Sequence, residues 1–172
     1  MLEKELLFPK GRIRERVKEL GEQIASDYAG KDPLFVGVLN GVVFFFADLM
    51  RAISIPVKID FIRAASYGSR MTSSGEIRIS KDVEKPVRGR HIVLVEDIVD
   101  TGITIAFILN RMKEKDPASV KVCALMNKVE RRQKEVPMDY VGFTIESGFV
   151  VGYGLDYNEE YRNLAEIYVL KP

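Results

Sequence analysis

One cysteine and one histidine occur in the 172 residues. A lone cysteine closes no intrachain disulfide, and neither a Cys-rich zinc site nor a two-histidine metal site can be built. Cys123 lies in the apolar run VKVCALM, where it reads as a buried strand thiol. The lack of disulfides points to a reducing, cytoplasmic setting. His91 abuts the run IVLV, away from any nucleophile elbow, so a Ser-His-Asp hydrolase finds no support.

An excess of charge of either sign is also missing. Lys and Arg number 26 against 25 Asp and Glu, a net +1. Nothing in that balance argues for nucleic acid or an anionic membrane as partner, so an anionic ligand would need a local site. Long hydrophobic runs are absent too. The most apolar stretch, VVFFFADLM, contains Asp48 and falls far short of the roughly 20 residues that span a bilayer. The opening MLEKELLFPKGRIRERV mixes acids and bases around no extended apolar segment, so it does not read as a signal peptide.

What is present fits a single domain over residues 1–172. Ile13, Val17, Leu20 and Ile24 recur at helical spacing within 11–29. LFVGVLN (34–40) predicts a buried strand, VVFFFADLMRAI a helix and PVKIDFIRAASY (56–67) a long strand. HIVLV (91–95), SVKVCALM (119–126) and DYVGFTI (139–145) predict further strands, with a helix over 104–115 ahead of Pro117. GSRMTSSGE (68–76) is polar and turn-rich, and predicts a mobile loop. Strands alternating with helices imply an α/β fold with a mostly parallel twisted sheet flanked by helices.

The stretch VLVEDIVDTGITI concentrates three carboxylates, Glu96, Asp97 and Asp100, between an apolar run and a glycine-containing turn. In parallel sheets, ligands bind beyond the carboxyl ends of the strands. Here acids that accept from hydroxyls or hold a hard cation stand beside Thr101, Gly102, Ile103 and Thr104 at a helix start. Free amides at that start, with the two threonine hydroxyls, form an anion site. Adjacent hydroxyls plus a phosphate describe a ribose 5-phosphate. The plain alternative is a helix capped by Asp100 with the other acids solvated.

The thirteen-residue string closely resembles the phosphoribosyl-diphosphate motif of the type I phosphoribosyltransferases. Nearly the whole chain resembles the hypoxanthine (hypoxanthine-guanine) members of that family. Ser66-Tyr67 matches the family's flexible-loop pair, Lys128 in LMNKVERR its base-recognising lysine, and Phe149-Val150 its purine-stacking aromatic with the following residue. Asp156 and Arg162 match the acid and arginine of its closing segment. The resemblance implies a small hood formed by terminal segments over the sheet. It also implies purine salvage: phosphoribosyl diphosphate and hypoxanthine or guanine giving IMP or GMP and pyrophosphate, with Mg2+. Asp100 would be the general base and Lys128 the selector of a 6-oxo group, with Phe149, Val150 and Asp156 completing the purine site. Glu96, Asp97 and Asp156 would face the metal, and Glu96 and Asp97 the ribose hydroxyls. Residues 68–76 would be a lid following Ser66 and Tyr67. A homodimer or homotetramer is expected, with the VVFFF helix supplying an interface.

The pyrophosphate loop departs from the pattern. The family reads Leu-Lys-Gly, whereas this chain has Leu39-Asn40-Gly41. The resemblance leads us to expect a cis peptide between Leu39 and Asn40, with Arg162 carrying more of the diphosphate charge. The other readings are a xanthine-preferring enzyme, a nucleic-acid-binding regulator on the same fold and a catalytically silent interaction protein. Asp100 and Lys128 argue against the last.

Overall fold

The computed structural model describes residues 3–67 and 76–171. The segment expected to form a lid lies outside the described residues up to 75, and Glu76 already opens a strand. Twelve elements follow in order: β1 Lys4–Phe8, α1 Lys10–Asp27, β2 Leu34–Val38, α2 Val43–Ala52, β3 Lys58–Tyr67, β4 Glu76–Lys81, β5 His91–Val99, α3 Ile103–Lys113, β6 Ser119–Lys128, β7 Tyr140–Ile145, β8 Phe149–Val151 and β9 Ile167–Leu170.

A six-stranded sheet runs β4-β3-β2-β5-β6-β7. All its pairings are parallel except β3 with β4. The α/β fold with a mostly parallel sheet is therefore as expected. Every residue of β2 is buried, because helices cover both faces of the sheet. On one face, Ile13, Val17, Leu20 and Ile24 of α1 and Phe45, Phe46 and Leu49 of α2 pack against Phe35, Val93 and Val95. On the other, Ile105, Ile108, Leu109 and Met112 of α3 meet Val36, Ile62 and Leu94. Within the VVFFF run, Phe45 and Phe46 thus belong to the core, and Val43 and Phe44 remain exposed.

A second, three-stranded antiparallel sheet runs β1-β9-β8. It is the expected hood, made from residues near the two ends of the sequence. Lys4 faces Leu170, and Phe149 faces Leu170 from the other side.

Two boundaries shift the site. The strand expected to end at Val95 continues to Val99, so Glu96 and Asp97 are strand residues. The strand expected to end at Met126 continues to Lys128. Both extensions come from parallel pairing between β5 and β6, which carries on through Glu96↔Ala124, Ile98↔Met126 and Val99↔Asn127. Among the described residues, no helix is long and apolar enough to cross a membrane.

Candidate active site

β2, β5 and β6 end together along one edge of the sheet, and three adjoining cavities open there. The first, about 180 Å3, is lined by Asp97, Asp100, Lys128, Phe149, Val150 and Asp156 among others. The second, about 120 Å3, is bounded by Glu96, Asp100, Thr101, Gly102 and Thr104. The third, about 280 Å3, collects Leu39, Asn40, Gly41, Glu96, Asp97, Asp156 and Arg162. Ile98 lines all three, so they meet along one short stretch of β5. A larger cavity of about 590 Å3 lies between α1, α2 and residues 162–165, away from the carboxylates at the β5 end.

In the first cavity, buried Lys128 places Nζ 3.6 Å from Asp100 Oδ2, and Arg131 Nη1 stands at the same distance. Asp100 Oδ1 is buried and has no hydrogen-bond partner among the described residues. A buried acceptor without a partner costs free energy, and a bound donor would recover it. Phe149 is 49% exposed and meets Tyr157 edge-on at 5.5 Å, so it is a free aromatic face and not core. Val150 beside it is buried.

The second cavity sits at the start of α3. Gly102, at φ 81°, precedes the helix, and no side chain caps it. Only a glycine fits that left-handed backbone without strain, and a Cβ there would overlap the Lys134 carbonyl oxygen. The plain reading of Asp100 as helix cap therefore fails. Thr101 Oγ1 accepts from Ile103 N at 3.4 Å, a long bond that leaves the first amides of the helix available to an anion.

The third cavity holds the closest packing. The Leu39–Asn40 peptide is cis, as expected. A Cβ on Gly41 would overlap the Asp97 carboxylate, and one on Gly154 would overlap the Gly41 carbonyl oxygen. The two glycines let the loop after β2, the end of β5 and the closing segment touch. Arg162 Nη1 donates to Gly154 O at 2.8 Å, and its Nη2 pairs with Asp156 at 3.0 Å. Asp156 also accepts from Glu159 N.

Burial, then the adjacent Asp97 carboxylate, push Glu96 well above the ordinary carboxylate range. Burial raises Asp97 as well, although the Glu96 side chain, the Ile98 amide and Arg162 oppose it. A pair of crowded, desolvated acids favours a hard cation. Among the described residues, no three acidic, histidine or cysteine side chains gather to hold a metal by themselves. Asp156 is engaged by Arg162, so the expected trio with Glu96 and Asp97 is not a protein-only cage. The donor set would instead suit a magnesium ion held by the Glu96 and Asp97 carboxylates with help from water and substrate oxygens.

The structure thus brings together the expected site residues whose side chains are described, except Ile103, which lines none of the three cavities. Ser66 and Tyr67 close β3, where their backbones pair with Ile77 and Glu76 of β4. Sequence reading missed Arg132. Its Nε donates to Asp100 O at 2.9 Å, while its Nη2 reaches Val99 O, Asn127 Oδ1 and Lys128 O. It therefore ties the ends of β5 and β6. In KVERRQKE it looks like any solvated charge, and only the tertiary pairing reveals it.

The fold and these three cavities define an enzyme that handles a phosphorylated sugar. Residues 7–158 match the phosphoribosyl transferase domain, and the chain belongs to the phosphoribosyltransferase family. Among its relatives is the hypoxanthine-guanine phosphoribosyltransferase of Streptococcus pneumoniae, 46% identical over 98% of this chain and 93% of that protein. The protein of that name from Mycobacterium bovis is 43% identical over 98% of this chain and 87% of its own length. A crystal structure of a hypoxanthine phosphoribosyltransferase from Staphylococcus aureus superposes with a TM-score of 0.94 at 38% identity, covering 99% of this chain and 92% of that one.

Proposed function

We propose that the protein transfers the 5-phosphoribosyl group from phosphoribosyl diphosphate to hypoxanthine or guanine, giving IMP or GMP and pyrophosphate. The observation that carries this reading is the meeting of the three cavities at Ile98. A cation-lined aromatic slot, an uncapped helix start and a glycine-rich loop with an arginine all open on one strand end.

The purine lies on Phe149, and the Lys128 ammonium donates to its 6-oxo oxygen. An ammonium has only donors, so adenine's 6-amino group finds no acceptor there. The 5-phosphate sits on the α3 amides with Thr101 and Thr104, leaving the ribose hydroxyls before Glu96 and Asp97. Magnesium, when bound against Glu96 and Asp97, supplies positive charge to the diphosphate and ribose oxygens. The purine nitrogen forms the bond to the anomeric carbon as the bond from that carbon to the diphosphate oxygen breaks. The electron pair leaves with pyrophosphate, which stays near Gly41 and Arg162. Asp100 takes the proton from the purine imidazole. Glu96 and Asp97 lend negative charge to the oxocarbenium-like sugar.

The whole chain acts as one catalytic domain, working in the cytoplasm as a homodimer or homotetramer. Only Val43 and Phe44 of the expected apolar interface are exposed to serve such an assembly. The deciding experiment is nucleotide formation from phosphoribosyl diphosphate with hypoxanthine, guanine, xanthine and adenine. Product from the first two and none from adenine is expected. A marked preference for xanthine would overturn the substrate assignment, and no product from any of the four would overturn the reaction.

A further inference from the structure

β2 and β3 run parallel in register up to Val38↔Ile62, and Leu39 N donates to Ile62 O at 2.9 Å. Arg63 follows Ile62 on β3, and Asn40 follows Leu39 just where the chain leaves β2, so the two side chains come within reach. Arg63 Nη2 donates to Asn40 Oδ1 at 2.8 Å. Asn40 itself lines the cavity that holds Gly41, Asp97 and Arg162. Among the described residues, no carboxylate pairs with Arg63, whereas Arg12, Arg16, Arg51, Arg88 and Arg111 each pair with one.

A guanidinium has donors only. It fixes the carboxamide with the oxygen toward Arg63, so the remaining end of Asn40 is the Nδ2 amino group, a donor. The loop gains an oriented donor and a nearby positive charge although residue 40 is neutral. We propose that Arg63 is a positioning residue of the diphosphate subsite: it holds Asn40 with its donor end toward the leaving diphosphate and supplies the charge that Asn40 lacks. The proposal rests on the transferase reading above. A lysine at 40 beside Arg63 places two cations together, so Asn40→Lys alone does not tighten pyrophosphate.

The test measures KM for phosphoribosyl diphosphate, KM for hypoxanthine, kcat, and inhibition by pyrophosphate at low and high ionic strength. The proteins are wild type, Arg63→Ala, Arg63→Lys, Asn40→Lys and the double variant Asn40→Lys/Arg63→Ala. Arg63→Ala should raise KM for phosphoribosyl diphosphate and weaken pyrophosphate inhibition by about 1.5- to fivefold at low salt, the range of an exposed, screened charge contact. KM for hypoxanthine should stay the same. Arg63→Lys should recover most of the loss, and a lysine at 40 should recover it only in the Arg63→Ala background. If Asn40→Lys tightens pyrophosphate equally in both backgrounds, the proposal is overturned. It is overturned too if Arg63→Ala leaves both diphosphate readouts unchanged, or lowers kcat and both substrate affinities alike together with the melting temperature. An inactive wild type would instead overturn the transferase reading, which separates the two failures.

Discussion

The Lys128 ammonium lies 3.6 Å from Asp100 Oδ2, while Asp100 Oδ1 is buried and unbonded. The carboxylate is thus ion-paired through one oxygen, while the other has no hydrogen-bond partner among the described residues. Asp100→Asn keeps the shape and removes the proton acceptor. Its kcat should fall roughly 10²–10⁴-fold, the usual yield of a general base. Calorimetric binding of phosphoribosyl diphosphate should hardly change. Turnover close to wild type across the pH range would remove the base from this position.

Lys128→Gln should weaken the grip on 6-oxopurines. A charge-assisted hydrogen bond contributes about 1.5–3 kcal/mol, which amounts to roughly 10- to 150-fold in kcat/KM for hypoxanthine and guanine. The KM for phosphoribosyl diphosphate should move far less. Unchanged kinetics with both purines would make Lys128 a strand-end residue without a part in base selection.

Arg132→Met deletes four hydrogen bonds between the ends of β5 and β6. We expect a lower melting temperature, from a loss on the order of 2 kcal/mol, together with a fall in kcat as the Asp100 carbonyl loses its anchor. Thermal denaturation and steady-state rates check both. A variant that melts and turns over like wild type would mean that the β-strand pairing alone holds Asp100.

Acid stability should depend on Asp60. Burial raises its affinity for a proton, but the amides of Lys85, Phe61 and Glu84 and the Lys81 ammonium outweigh that and hold it below the ordinary carboxylate value. A depressed folded value means that the contribution is fully present above the unfolded value near pH ~4 and is lost as the pH falls through the folded one. Asp60→Asn should therefore be less stable than wild type at neutral pH, with the gap closing below about pH 4. Urea unfolding at neutral pH and near pH 3 measures it. A gap that stays constant with pH would show that the charge contributes nothing.

Much of this architecture was legible because buried parallel strands are written as apolar runs. Phe35 and Val36 in β2, and Val93 and Leu94 in β5, face helices on both sides, so little polar residue interrupts them. β1 was missed because KELLF is exposed or half-buried throughout and short. Nothing local distinguishes it from a loop until β9 pairs with it. The phosphoribosyl motif was legible because its residues are consecutive. Arg63 and Arg132 were not, because each acts on partners that only the pairing of neighbouring strands brings close. The departure at Asn40 was visible as a missing charge, and its neighbour was visible only once β2 and β3 were aligned.

The hood sheet joins residues from opposite ends of the sequence, and Phe149 stands in its edge strand, held by β9 alone. During synthesis the helix start at Ile103 and the acids of β5 emerge long before β9. The β1–β9 pairing closes late, because the chain must first lose the entropy of a very long loop, and β8 has no partner until β9 has emerged. A nascent chain can therefore assemble the pocket for the sugar phosphate while still having no platform for a base. In the proposed reaction, the aromatic face offered to the purine is thus the last part of the site to gain its support.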